Sequence, residues 1–343
     1  MIYRDSSDFV RGLTTMKLPQ FILLFSFIAL VLPGRAEDKA NLDANLMLAK
    51  ASDLEALRGQ DLQSLRRVVH FTFVNSAASE LKGEISFEEA APDKSRVDLE
   101  LGGYQRHEVR SGRTIWILAN SPFMPLPMRE LRYALNWTQF QLAPADVVKS
   151  VRDRKIGRAD ARCIYFETIR GKESENGLMC LAKDTGYFLY AERKERKITY
   201  SDFSPVGSKV RPRKISIELE GGTRIDADVT YDLAAHFDAT DFDAIKGSEE
   251  ETTCSDSRRP LPKSDLPIIV PRDVKSQVKG KIVVDVQVGT NGEVIDDAIV
   301  ESLEPDLDAI ALAKTKKMHF EPGTCDGKPV KSTTEVTLTI SKN

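Results

Sequence analysis

The feature that most constrains this chain is the run from residue 280 to 340, where local signals of three kinds follow one another without conflict. Ile282, Val284, Val286 and Val288 occupy alternate positions, so a strand gathers them on one face. Gly289-Thr-Asn-Gly292 comes next, and Asn291-Gly292 can supply the positive φ angles of a tight hairpin leading into residues 293–300. A helix is predicted from Pro305-Asp306. Proline lacks the amide that a first helical turn leaves unpaired, and acidic side chains suit the positive end of the helix dipole. Leu307, Ile310, Ala311 and Met318 would share its inner face, and Phe320-Glu-Pro322 stops it. After the loop 323–329, Thr334, Val336, Leu338 and Ile340 alternate with Thr or Glu in a last strand with one buried face. The unit reads β-β-α-β.

These residues resemble the C-terminal domain of TonB-type energy transducers. The matching pieces are Pro267 and Pro271 in the lead-in, Val278-Lys-Gly280, the valine-rich strand and Asn291-Gly292-Glu-Val294. Leu307-Asp308 with Ala309 and Ala311, Phe320-Glu-Pro322 and Asp326-Gly-Lys-Pro-Val330 complete them. The resemblance implies a periplasmic domain that captures an extended segment of a periplasmic or outer-membrane protein by strand addition. An exposed sheet edge can do this because its unpaired amides and carbonyls complete a ladder with an extended chain. The edge so implied is the last strand: Thr333, Thr334, Glu335, Val336, Thr337, Leu338, Thr339 and Ile340. Two positions depart from the pattern. Val270 stands where tyrosine commonly precedes the second lead-in proline, and Met318 where an aromatic is often found.

The other end of the chain carries an export signature. Lys17 precedes an apolar run from Phe21 to Leu32, and Gly34-Arg-Ala36 places small residues where signal peptidase needs them. Residues 1–36 read as a signal peptide, with Met16 a plausible true start. The run is shorter than the roughly 20 residues of a membrane-spanning helix; an uncleaved anchor in the inner membrane is the alternative.

Export makes the four cysteines informative, since an even number in an oxidising compartment predicts disulfides. Cys163 begins a strand-like segment and Cys180 ends another beyond a polar turn, so hairpin pairing would set them opposite each other. Cys254 and Cys325 would then pair. Four cysteines allow three pairings, and the sequence leaves the choice open. No Cys-x-x-Cys spacing supports zinc.

Between these ends, residues 37–245 predict mostly strands. A helix with Leu46, Leu48, Ala49, Leu54 and Leu57 comes first. Period-two runs follow, such as Val69-x-Phe71-x-Phe73, Ile85-x-Phe87, Val97-x-Leu99-x-Leu101 and Ile115-Trp116-Ile117, punctuated by Gly and Pro. A short helix through Val147, Val148 and Val151 is predicted to interrupt them. Many short strands at such spacing predict a large antiparallel curved or half-barrel sheet, so the whole chain is α+β. Its order of elements, with Tyr200-Ser-Asp-Phe203 and Pro212-Arg-Lys-Ile215, resembles the LolA/LolB-type periplasmic lipoprotein carriers. That likeness implies an apolar cavity for a lipid or acyl chain, lined by Phe71, Phe73, Phe87, Trp116, Trp137 and Phe140; the plainer reading is a packed core. Residues 246–266, polar and proline-bearing, read as a short linker to the domain at 267–343.

Little else carries chemistry. His70, His107, His236 and His319 are scattered, and His107-Glu108 lacks the second histidine of a zincin helix. Asp238, Asp241 and Asp243 lack the spacing and glycine of a calcium loop. No phosphate-cradling loop or nucleophile elbow occurs, so no enzyme, cofactor or metal is expected. With 49 basic against 52 acidic residues, no basic surface for nucleic acid is expected either.

Overall fold

The computed structural model describes residues 36–341 apart from 56, 58–63, 76–77, 92, 136–140, 171–172, 195, 220–221, 264–267 and 270–279. Residues 1–35 of the candidate signal at 1–36, Trp137, Phe140 and the lead-in residues Pro267, Pro271 and Val278 lie outside the described residues.

The described chain opens with helix α1 (Ala36–Glu55). Ala44, Leu48 and Ala51, one helical face at spacings of four and three, are buried, whereas Leu42 and Leu46 are 59% and 61% exposed. The expectation that Leu46 and Ala49 belong to the packed face is therefore corrected, since both are exposed and Leu46 lies half a turn from that face; Leu57 lies beyond the end of α1.

Five strands follow: β1 (Leu65–Val74), β2 (Glu80–Ala91), β3 (Lys94–Leu101), β4 (Tyr104–Ser111) and β5 (Thr114–Ala119). After α2 (Leu126–Leu135), seven more form a second meander: β6 (Asp146–Ile156), β7 (Ala159–Arg170), β8 (Glu173–Ala182), β9 (Phe188–Arg193), β10 (Arg196–Val206), β11 (Lys209–Glu218) and β12 (Arg224–Asp232). The two meanders join where β1 pairs antiparallel with β12, with Val69 opposite Val229. With β13 (Glu249–Thr252) added beside β5, this is one open antiparallel sheet of thirteen strands with ends at β13 and β6. Two glycines help it to bend. Gly83 stands opposite Phe71 and Gly177 opposite Phe166, and a Cβ on either would lie 2.3 Å or 2.1 Å from the ring. Each aromatic ring thus lies flat across a glycine, where no other residue fits.

The segment expected as a helix through Val147, Val148 and Val151 is strand β6. Its register with β7 slips at Lys149, and this bulge puts Val148 and Val151 on one face at a spacing of three. A bulged strand thus imitates a helical period.

The C-terminal unit contains β14 (Ser257–Arg258), β15 (Leu261–Pro262), β16 (Ile268–Ile269), β17 (Gly280–Val288), β18 (Val294–Glu301), α3 (Pro305–Thr315), β19 (Phe320–Glu321), β20 (Thr324–Cys325), β21 (Lys328–Pro329) and β22 (Ser332–Ser341). Its main sheet runs β16-β22-β17-β18. Ile282, Val284, Val286, Val288, Val336 and Leu338 form the inner face, covered by Leu307 and Ala311 of α3. Pro305 sits in the first turn of α3, as its missing amide predicts. Met318 lies beyond the helix end, yet is buried in the same core. In the β17–β18 turn only Gly292 has positive φ, at +84°. Its carbonyl accepts from Phe320 N–H at 2.8 Å, and a Cβ there would strike Phe320 O at 2.1 Å.

Among the described residues, the segment 246–263 is bonded to both units. Its β13 extends the large sheet, β14 pairs with β20, and β15 pairs with β19.

Candidate functional site

The sequence pointed to β22, whose inner side pairs with β17 from Ser332 to Ile340. On the outer side, two residues of β16 pair in parallel with Ile340 and Ser341. From Ser332 to Thr339 that side meets no strand among the described residues. Alternation sends Val336 and Leu338 into the core and leaves Thr333, Glu335, Thr337 and Thr339 exposed on the other face, with Thr334 half-buried.

Helix α2 touches this second face, a contact that the sequence did not reveal. Arg129 Nη1 donates to Asp285 Oδ1 at 3.0 Å and lies 3.7 Å from Glu335 Oε2; Asp285 and Glu335 are cross-strand partners on β17 and β22. Burial raises the Asp285 carboxyl, and Arg129 opposes that shift. The same helix grips both meanders. Arg132 holds Glu108 of β4 in a bidentate pair at 2.7 and 3.1 Å, and Arg196 of β10 pairs with Glu130 at 3.0 Å. Burial alone would raise Glu108, but Arg132 and Arg106 pull it down to about 2. The charged string Arg129-Glu130-Leu-Arg132 on a helix was the one available sequence signal, and nothing in it names the distant carboxylates.

A second junction joins the units covalently. Cys254, just past β13, is bonded to Cys325 of β20. Asp326 and Gly327, both at positive φ, turn β20 into β21, an Asp-Gly hairpin where the sequence suggested only a loop. Asp326 Oδ1 accepts from Ser255 N–H, Ser255 Oγ–H and Asp256 N–H at 2.8, 2.5 and 2.9 Å. Arg113, between β4 and β5, donates to Asp326 Oδ2 at 2.8 Å and to Thr253 O at 2.9 Å. The hydrogen bonds from Ser255 and Asp256, with Arg113 alongside, hold the Asp326 carboxyl below the usual range. The other expected disulfide, Cys163–Cys180, is also present, its residues directly opposed on β7 and β8.

The concave face of the large sheet holds the expected cavity residues only in part. Phe71 is buried and Phe73 and Phe87 are partly buried in one core with Leu48 of α1 and Met128 and Leu131 of α2. Trp116 is not with them. Its register through Val109 and Arg96 puts it on the opposite, convex side, while Ile115 and Ile117 take the concave side. The alternation was right, but only pairing with β4 could say which set faced the helices. Among the described residues no His, Cys, Asp or Glu cluster could hold a metal ion.

Comparison with known proteins adds a match over one region of the chain. Residues 271–340 match the family model of the Gram-negative bacterial TonB protein C-terminal. The match covers this TonB-like region alone, and the search of curated proteins finds no match to the chain. Solved structures with similarity to the chain include a LolA superfamily protein from Nitrosomonas europaea, at 16% identity and TM-score 0.39, covering 58% of this chain and 97% of that one. A DUF1329 family protein from Desulfovibrio piger, at 11% identity and TM-score 0.40, covers 60% of this chain and 97% of its own. The MucA/MucB complex structure from Pseudomonas aeruginosa, at 14% identity and TM-score 0.27, covers 87% and 94%. Among the described residues no helix is long and apolar enough to cross a membrane.

Proposed function

We propose that this is an exported protein of the Gram-negative periplasm that captures an extended segment of another envelope protein along β22, with the large half-barrel as its scaffold. The observation that carries this reading is the outer side of β22 from Ser332 to Thr339, which meets no strand among the described residues, in a region matching the TonB family. An extended segment laid there would complete the ladder on a sheet already backed by α3. The candidate signal at 1–36 supports export, and the mass of the recovered protein tests it: a chain beginning at Glu37 is expected.

The junction at Cys254–Cys325 bears on how far the C-terminal unit can reach. A transducer that reaches across the periplasm needs a free spacer, whereas residues 249–262 are paired to both units and fixed by Cys254–Cys325. A docking adaptor fits these bonds better than a reaching arm. The carrier reading requires α1 or α2 to leave the concave face, which their apolar residues now fill; lipid copurifying with the protein would favour it.

Adjacent residues of a strand point their amides to opposite sides, so proline at Thr337 and, separately, at Leu338 tests both. The substitution that removes an outward amide should keep the fold by circular dichroism and lose photo-crosslinks from Thr333 to an envelope protein. Undiminished crosslinking in both folded variants would exclude β22 as the edge.

A further inference from the structure

The large sheet ends in two unlike edges. At one, β13 is short and acidic, Glu249 to Glu251, and Lys331 of the C-terminal unit pairs with Glu249. At the other, β6 is eleven residues long. Its first residues are sealed by a side chain that copies a strand. Asn41 of α1 accepts from Val148 N–H at 2.7 Å through Oδ1 and donates to Asp146 O at 3.3 Å through Nδ2. A primary amide offers the same donor and acceptor as a peptide group, so Asn41 stands where a neighbouring backbone would be. From Ser150 to Ile156 no strand pairs with the outer backbone among the described residues.

The charge on this open stretch is one-sided. Residues 149–162 contain six basic side chains, Lys149, Arg152, Arg154, Lys155, Arg158 and Arg162, against Asp153 and Asp160, in a chain of net charge −3. Asp153 is engaged by Arg162 and Lys183, and Lys149 by Glu167. Arg154, Lys155 and Arg158 are exposed and have no carboxylate within ion-pair distance among the described residues. An edge of one sign repels another copy of itself, which guards against sheet-to-sheet aggregation, yet admits an extended chain of opposite sign.

We propose that β6 from Ser150 to Ile156 is a second docking edge, which takes an extended acidic segment of another protein as an added strand. The backbone ladder supplies the fixed geometry, and Arg154, Lys155 and Arg158 supply the choice of partner. This site belongs to the large domain and does not depend on the reading of β22.

The test uses the full chain and a fluorescent ten-residue peptide alternating Glu with Val or Thr, followed by polarisation. The acidic peptide should bind, and a Lys-for-Glu version should not. Arg154→Glu with Lys155→Glu, both exposed, should weaken binding by about tenfold or more, and N-methylation of alternate peptide amides along one edge should abolish it. Whichever of Thr337→Pro and Leu338→Pro keeps its fold by circular dichroism should bind as the parent does. Equal binding of the N-methylated peptide would reduce the site to ionic adsorption and overturn strand addition. Overturning outcomes also include indifference to the charge reversal, or binding to anionic phosphatidylglycerol vesicles but not to the peptide.

Discussion

The two disulfides make the same bond in opposite settings. Cys163–Cys180 lies inside one hairpin, both residues 0% exposed, and joins strands that already pair from Ala161 to Arg170. Cys254–Cys325 lies half-exposed, 71 residues apart in sequence, and joins the end of the large sheet to a hairpin of the C-terminal unit. The first consolidates a structure that local pairing has already specified. The second fixes a relation between units that no local pairing specifies, with Asp326 and Arg113 as its polar neighbours. A cross-link therefore matters to function less by its strength than by what its loop encloses.

The largest expected effect comes from opening the longer loop. Loop-closure entropy for a separation of 71 residues is worth about 4 kcal/mol, and the loop contains most of the C-terminal unit but none of β1 to β12. Cys254→Ala with Cys325→Ala should cost that unit about this much in urea unfolding followed by hydrogen exchange, and leave exchange in the large sheet unchanged. Equal losses in both units would break the comparison. Cys163→Ala with Cys180→Ala, at a separation of 17, should cost the large domain about 3 kcal/mol and leave β17 and β22 protected as before.

A third variant sharpens the picture of the large domain, at an effect no larger than this. Glu55, at the end of α1, is 1% exposed; its Oε1 accepts from Phe188 N–H at 2.6 Å, and Arg211 donates to its backbone carbonyl at 2.7 Å. Burial pushes its carboxyl up to about 7, against the Phe188 hydrogen bond and Arg211. The folded state then holds a proton that the unfolded chain releases near 4.5. Stability should therefore fall as pH rises from 4.5 towards 7, by up to about 3 kcal/mol. Glu55→Gln should remove that slope in unfolding curves taken between pH 5 and 8. A slope that persists would assign it to other groups.

Much of the C-terminal unit was legible because its signals are local. Alternation over Ile282 to Val288, a glycine needed at 292, Pro305 in a first turn and Thr334 to Leu338 each act within a few residues. The apposition of Cys163 and Cys180 was legible for the same reason, since a hairpin sets its own register. The misreadings arose where distant partners decide. A bulge at Lys149 disguised β6 as a helix, Trp116 took the convex face, and Leu46 the outer side of α1.

The sequence by itself determined the alternating strands, the turns and the helix start, because backbone geometry fixes periodicity within a few residues. Only the tertiary structure decided which face meets the core and which edge stays open. It also decided that Arg129 should meet Asp285 across 156 positions of chain. Those choices depend on register between strands far apart in sequence and on the burial it brings, and no short window of residues encodes them.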